Sequence, residues 1–212
     1  MRTCSLQFKC EWEVHGGVFC GVAGLGLLAA RRWLGHNRRT TFRPARRHTM
    51  QMIVSKQGKN DKYDQLRCVR RDGSSTSTMM PRQGVLPHDL IHYVVETALA
   101  YRHGFLGMVA AGSDISFAME QSHSYDNPAL AQQAIHAEAI VESLQAQLWS
   151  GAFDQAMFDA GLESACAMRG CAAPVLGNAG GAQALYDAAL AMAQRWQQLA
   201  YCSALELEFL PA

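Results

Sequence analysis

The stretch Leu205-Glu206-Leu207-Glu208-Phe209 near the end of the chain alternates apolar and charged residues without a break. A half-buried β-strand is the structure that uses such a pattern, with Leu205, Leu207 and Phe209 on one side. Its partners must come from the other end of the chain, because residues 87–199 carry helical periodicity. Met50-Gln51-Met52-Ile53-Val54 is a short apolar run ahead of a polar turn at Gly58-Lys59-Asn60-Asp61. Residues 66–70 and 75–79 then flank Asp72-Gly73. Asp-Gly between β-prone runs marks a tight hairpin, with φ > 0 expected at both central positions. The pattern predicts an α+β fold in which a three-stranded N-terminal meander and a C-terminal strand form a small antiparallel sheet. That sheet packs against about four helices on one face and is wet on the other.

Helix boundaries follow from punctuation. Pro87, Asn127-Pro128 and Ser150-Gly151 are starts, and Gly112, Gly170 and residues 177–181 are breaks. The helix expected over residues 128–149 carries Leu130, Ala134, Ala137, Val141, Leu144 and Leu148 as one apolar stripe. Phe153, Met157 and Ala160 begin a similar stripe, and Leu185, Ala189, Met192 and Trp196 mark a last helix over residues 182–199. Residues 104–112 form a shorter apolar helical piece whose glycines match no phosphate-loop pattern.

Charge divides the chain in two. Residues 1–50 hold nine Lys/Arg against two Glu, whereas residues 51–212 hold ten against sixteen acids. The leader has an apolar run at residues 16–30 followed by an Arg-rich stretch. That run is shorter than the roughly 20 residues of a spanning helix and lacks the preceding positive charge of a secretory signal. The expectation is a disordered or spurious extension over residues 1–49 and a single α+β domain over residues 50–212, with the true start at Met50 or Met52. A basic group at Arg67, Arg70, Arg71 and Arg82 reads as a solvated face, since residues 83–212 carry three Arg against thirteen acids and repel nucleic acid. Neither nucleic acid nor membrane is expected as a partner.

Seven cysteines, an odd number without a CxxC, read as reduced thiols in a cytoplasmic protein. Cys166 and Cys171 sit across a helix end and a glycine, a spacing of neither a zinc ribbon nor a redox motif.

The chemistry concentrates in Pro87-His88-Asp89-Leu90-Ile91-His92-Tyr93-Val94-Val95-Glu96. On a helical wheel of about 100° per residue, Leu90, Ile91, Val94, Val95, Ala98 and Leu99 make one apolar face. His88 lies between Val95 and Leu99, His92 on the border, and Glu96, Asp89 and Tyr93 further round. His88 and His92, one turn apart, suit two imidazoles on one divalent transition metal such as zinc, as in an HExxH arrangement. Glu96 lies eight residues and about 12 Å of helix rise beyond His88. A third metal ligand must therefore come from elsewhere, with His103, Asp114, Glu120, His123, His136, Glu138 and Glu142 as candidates. Alternatively, Asp89 or Glu96 orients His92 as a catalytic imidazole. The bland alternative has Asp89 serving the free N–H groups of the first turn, His88 bonded to a backbone carbonyl, Tyr93 packed on the sheet, and Arg102 and His103 complementing the helix end.

The run MMPRQGVLPHDLIHYVVETALAYRHGFLGMVAAG, with the hairpin before it and the ALELEF strand, resembles a group of small uncharacterised bacterial proteins sharing a PHDLxHYxVE helix. That resemblance covers residues 50–212 and brings no activity with it. His88-Asp89-Leu90-Ile91-His92 is also similar to the HDxxH motif of the ubiquinone-biosynthesis accessory protein family. That motif is associated with zinc and continues to a Glu about a dozen residues later, where this chain reads Tyr101-Arg102-His103-Gly104-Phe105. That family is all-helical, and the β-hairpin here departs from it. The HD phosphohydrolase family also uses an adjacent His-Asp pair, but its other ligands have no counterpart in the pattern here.

Two functional expectations result. The first is an interaction or structural module, pairing with itself or a partner, with no assignable reaction. The second is a metal-binding or hydrolase-like protein using His88, Asp89, His92 and Glu96.

Overall fold

The computed structural model describes residues 49–121 and 128–210, all within a compact unit spanning Arg43–Ala212, and the leader expectation lies outside them. Strands β1 (Met50–Lys56), β2 (Tyr63–Arg70) and β3 (Ser75–Pro81) form the meander. Helices α1 (His88–Ala98), α2 (Phe105–Ala111), α3 (Ile115–Gln121), α4 (Pro128–Ser150), α5 (Gln155–Met168) and α6 (Ala182–Gln198) follow, with a 3-10 turn at Gly177–Ala179. Strand β4 (Ser203–Phe209) closes the chain.

The sheet is antiparallel with order β3-β2-β1-β4, so the C-terminal strand pairs with β1, opposite the hairpin partner. Met52 stands opposite both Cys68 and Leu207, and Met50 opposite Phe209. Met50, Met52, Val54, Leu66, Cys68, Met80, Leu207 and Phe209 are buried together on one face. On the other face Gln51 donates to Glu206 across the strands at 3.1 Å, as period-two alternation requires.

The hairpin differs from the expected two-residue turn. Arg70 N–H donates to Ser74 at 2.8 Å and Gly73 N–H to Arg70 at 2.9 Å, which makes Arg71-Asp72-Gly73 a three-residue loop. Only Gly73 takes positive φ there, at 85°, while Asp72 accepts the Ser74 N–H at 2.9 Å. A turn closed by one left-handed glycine is the next commonest hairpin, and the same Asp-Gly dipeptide serves it.

Among the described residues, six helices stand where about four main ones are expected. The short α2 and α3 account for the difference, and Asp114 starts α3 by accepting the Ser116 N–H at 2.9 Å. Pro87 is the N-cap of α1, one step before the first helical position anticipated for it. Helix α1 lies against both α4 and α6. At the far end of α6, Lys56 donates to the carbonyls of Trp196 and Leu199 at 2.9 and 3.0 Å, placing a cation at the negative helix end.

Candidate metal centre

Helix α1 positions the site. The continuous apolar face of Leu90, Ile91, Val94 and Val95 is driven into the core, which carries the residues beside it inward as well. His92 is 3% exposed and Glu96 is fully buried, whereas the His88 side chain keeps 29% of its surface. The wheel is thus turned further than its apolar stripe suggests, with His92 deeper than His88.

Glu96 anchors the inner end. Its carboxylate accepts the N–H groups of Leu106 and Gly107 in the first turn of α2, each at 3.1 Å. It also accepts Nδ1–H of His92 at 3.1 Å. A buried carboxylate is costly unless its lone pairs are used, and here three N–H donors use them. The carboxylate consequently fixes both the position of α2 and the tautomer of His92.

His88 is oriented by a parallel device. Its Nδ1 faces Oε1 of Gln145 on α4 at 3.3 Å, and Nε2 of Gln145 donates to Gln83. With that amide nitrogen committed, Oε1 of Gln145 is left to accept, so Nδ1 of His88 is the donor. Both imidazoles therefore turn Nε2 toward the same point, and the two Nε2 atoms stand 3.2 Å apart.

Glu138 of α4 completes the cluster. One of its oxygens lies 3.3 Å from His88 Nε2 and the other 3.1 Å from His92 Nε2, and its side chain is 20% exposed. Phe105 covers His92 with ring centroids 5.2 Å apart. Solvent reaches the cluster past His88 and Glu138, while His92 forms its floor.

The electrostatics match that geometry. Burial works against a charge on His92, but hydrogen bonds and charge from Glu138 and Glu96 outweigh it and push its pKa up to about 10. Burial would raise the Glu138 carboxyl, yet the two histidines hold it well below the usual carboxylate range. Two bare imidazole lone pairs 3.2 Å apart repel each other, so the cluster is built around a shared cation, whether a proton or a metal ion.

The expected site residues therefore divide. His88 and His92 are brought together, and the third group is Glu138, one of the seven candidates the sequence offered. Glu96 stands behind His92 on its Nδ1 side. Asp89 is not among the partners of His92, whose two ring nitrogens face Glu96, His88 and Glu138. Asp89 is buried in the first turn, where burial raises its carboxyl and the two imidazoles pull it back. The expected carbonyl partner of His88 is replaced by Gln145, while Tyr93 packs on the core and donates to the Glu208 carbonyl at 3.3 Å. Arg102 and His103 lie past the end of α1, and their backbone N–H groups go to Gln133 at 3.1 and 3.0 Å. His123 and the side chain of Glu120 lie outside the described residues. Gln145 and Gln83 carried no signal of their own, although Glu138 and Gln145, seven residues apart, do share one face of α4.

The arrangement defines a class: an α+β protein with a two-histidine, one-carboxylate cluster between its first long helix and its longest. No protein-family model, curated protein or solved structure matches the chain.

Proposed function

We propose that the chain holds one divalent transition metal, zinc or an ion of similar ligand preference, through His88, His92 and Glu138, and uses it in hydrolase-like chemistry. The observation that carries this reading is the convergence of three side chains: the two Nε2 atoms are 3.2 Å apart, one Glu138 oxygen lies 3.3 Å from His88 Nε2 and the other 3.1 Å from His92 Nε2. Two ligands on an ion with bonds of about 2.0–2.1 Å lie about 2.9 Å apart at a right angle and about 3.4 Å apart at the tetrahedral angle. The observed separations fall between those limits. Two imidazoles select a transition metal over calcium or magnesium.

The surroundings support the same reading. Each imidazole donates its far N–H to an oxygen, the arrangement that orients metal-ligating histidines and raises their basicity. Three protein ligands leave a position for water or substrate, and an ion there would lower the pKa of bound water toward neutrality. Similarity to the zinc-associated HDxxH motif points the same way, with the carboxylate drawn here from α4. On sequence alone the interaction-module reading has the advantage, and the convergence of three ligating side chains moves it to the metal. The free thiols of Cys68, Cys166, Cys171 and Cys202 fit a cytoplasmic location. Among the described residues, no helix is long and apolar enough to cross a membrane.

Elemental analysis of the purified protein tests the proposal. A drop of about one equivalent of metal per chain is expected when His88 and His92 are both changed to Ala while the fold, read by circular dichroism, persists. A metal-free wild-type chain that also fails to take up added zinc would sink it.

A further inference from the structure

Where α5 packs on α4, the C-terminal end of α5 brings two thiols together. Gly170 takes φ 73°, its N–H donates to Ala167 at 3.0 Å, and Cys171 N–H reaches back to the Cys166 carbonyl at 3.1 Å. This is a Schellman ending, in which the side chains three places before the cap and two places after it are brought into contact. Those two places hold Cys166 and Cys171, where an apolar pair is usual. Packing of α4 on α5 then adds a third ligand, of a second type. His136 Nε2 contacts the carbonyl of Ala172 at 3.0 Å, which ties the imidazole to the residue next to Cys171. The two sulfurs and an imidazole nitrogen all lie within 4.8 Å of one another.

We propose that His136, Cys166 and Cys171 form a second metal site, specific for a thiophilic divalent ion of the zinc class. The ligand chemistry differs from that of the first centre: two thiolates and one imidazole favour soft ions, whereas the first cluster has no sulfur. Cys166 is fully buried while Cys171 and His136 are half-buried, so the ion is approached from one side. The three ligands come from one helix, the end of the next and the turn after it, so the ion would clamp the α4–α5 pair. On binding, each thiol gives up its proton to solvent and the sulfur lone pair goes to the ion, with no change of oxidation state.

The test is titration of the reduced, metal-stripped full chain with Co2+, followed by absorbance and by direct metal analysis. A saturable sulfur-to-cobalt charge-transfer band is expected. The band and one metal equivalent should be lost in Cys171→Ala and, separately, in His136→Gln, two half-buried positions whose variants should melt like the wild type. A His88→Ala, Glu138→Gln variant should keep the band, so failure of the first centre leaves this readout intact. The proposal is overturned by a wild-type chain with no sulfur-to-cobalt band, or by a band that survives Cys171→Ala and so belongs to other cysteines. It is equally overturned if a Cys166–Cys171 disulfide forms in place of metal uptake.

Discussion

The backbone of Gly104 passes so close to Glu96 that a Cβ there would lie 2.4 Å from the carboxylate carbon. Glycine at the N-cap of α2 is thus what lets the first turn of that helix close over a buried acid. Gly104→Ala must push the carboxylate or the helix aside, and overpacking of this kind costs about 1–3 kcal/mol. The expected result is a lower urea midpoint together with weaker metal binding, because His92 loses the group that orients it. A Gly104→Ala protein as stable as wild type would show that Glu96 has room to move.

Glu96→Gln separates orientation from space. The amide keeps the shape but presents a donor where the Leu106 and Gly107 N–H groups and Nδ1–H of His92 all need acceptors. Leaving one buried donor unmatched costs about 1–3 kcal/mol. Loss of an oxygen behind a ligating histidine usually weakens metal affinity by about 10–100-fold. Competition against a chromogenic chelator measures the second quantity, and a variant with unchanged affinity would remove Glu96 from the metal centre and leave it a purely structural cap.

Much of this architecture was legible in the chain, and the reasons are local. The alternation around Leu207, the Asp72-Gly73 turn and the stripe on α4 each follow from a backbone period that neighbours along the chain reveal. His88 and His92 were legible for the same reason, one turn apart on one helix. Glu138 was not, because its meeting with them depends on how α1 packs on α4, a contact with no trace in either helix alone. The depth of His92 relative to His88 was missed likewise: the apolar stripe alone gives no weight to Glu96, whose bonds to α2 pull that edge of the helix inward. Helix α3 was missed because seven residues give too short a period, though Asp114 was there as its cap.

The metal-free protein should lose stability with rising pH. Folding pushes the His92 pKa up to about 10 from the ordinary imidazole value of 6.5. A pKa raised by folding contributes fully below the unfolded value, and the contribution drains as pH climbs from about 6.5 to 10. Glu138 runs the other way: its carboxyl is held below 4.5, so its contribution is present above that value and is lost in acid. Both shifts describe largely the same ion pair and are not additive. Urea midpoints of the metal-stripped protein should fall between about pH 7 and pH 9.5 in the wild type and stay flatter in His92→Gln. Parallel curves would assign the alkaline loss to another group. Metal binding at neutral pH should release about one proton per ion, read by calorimetry in buffers of different ionisation enthalpy.

Ala100 holds the last turn of α1 in a left-handed conformation, with φ 53°. The N–H of Tyr101 returns to the Glu96 carbonyl at 3.0 Å and that of Ala100 to Thr97 at 3.3 Å, so this is again a Schellman ending, with alanine where glycine is usual. A non-glycine residue there costs about 1–2 kcal/mol. Glycine gives back about 0.5–1 kcal/mol through its freer unfolded chain. Ala100→Gly should therefore stabilise the protein, by up to about 1.5 kcal/mol as the difference of those two figures, measured by urea denaturation. Since the same ending fixes the backbone of Glu96, metal affinity should hold or rise slightly. A fall in both would mean that the alanine methyl group, rather than the backbone bonds, keeps the end of α1 in register with α2.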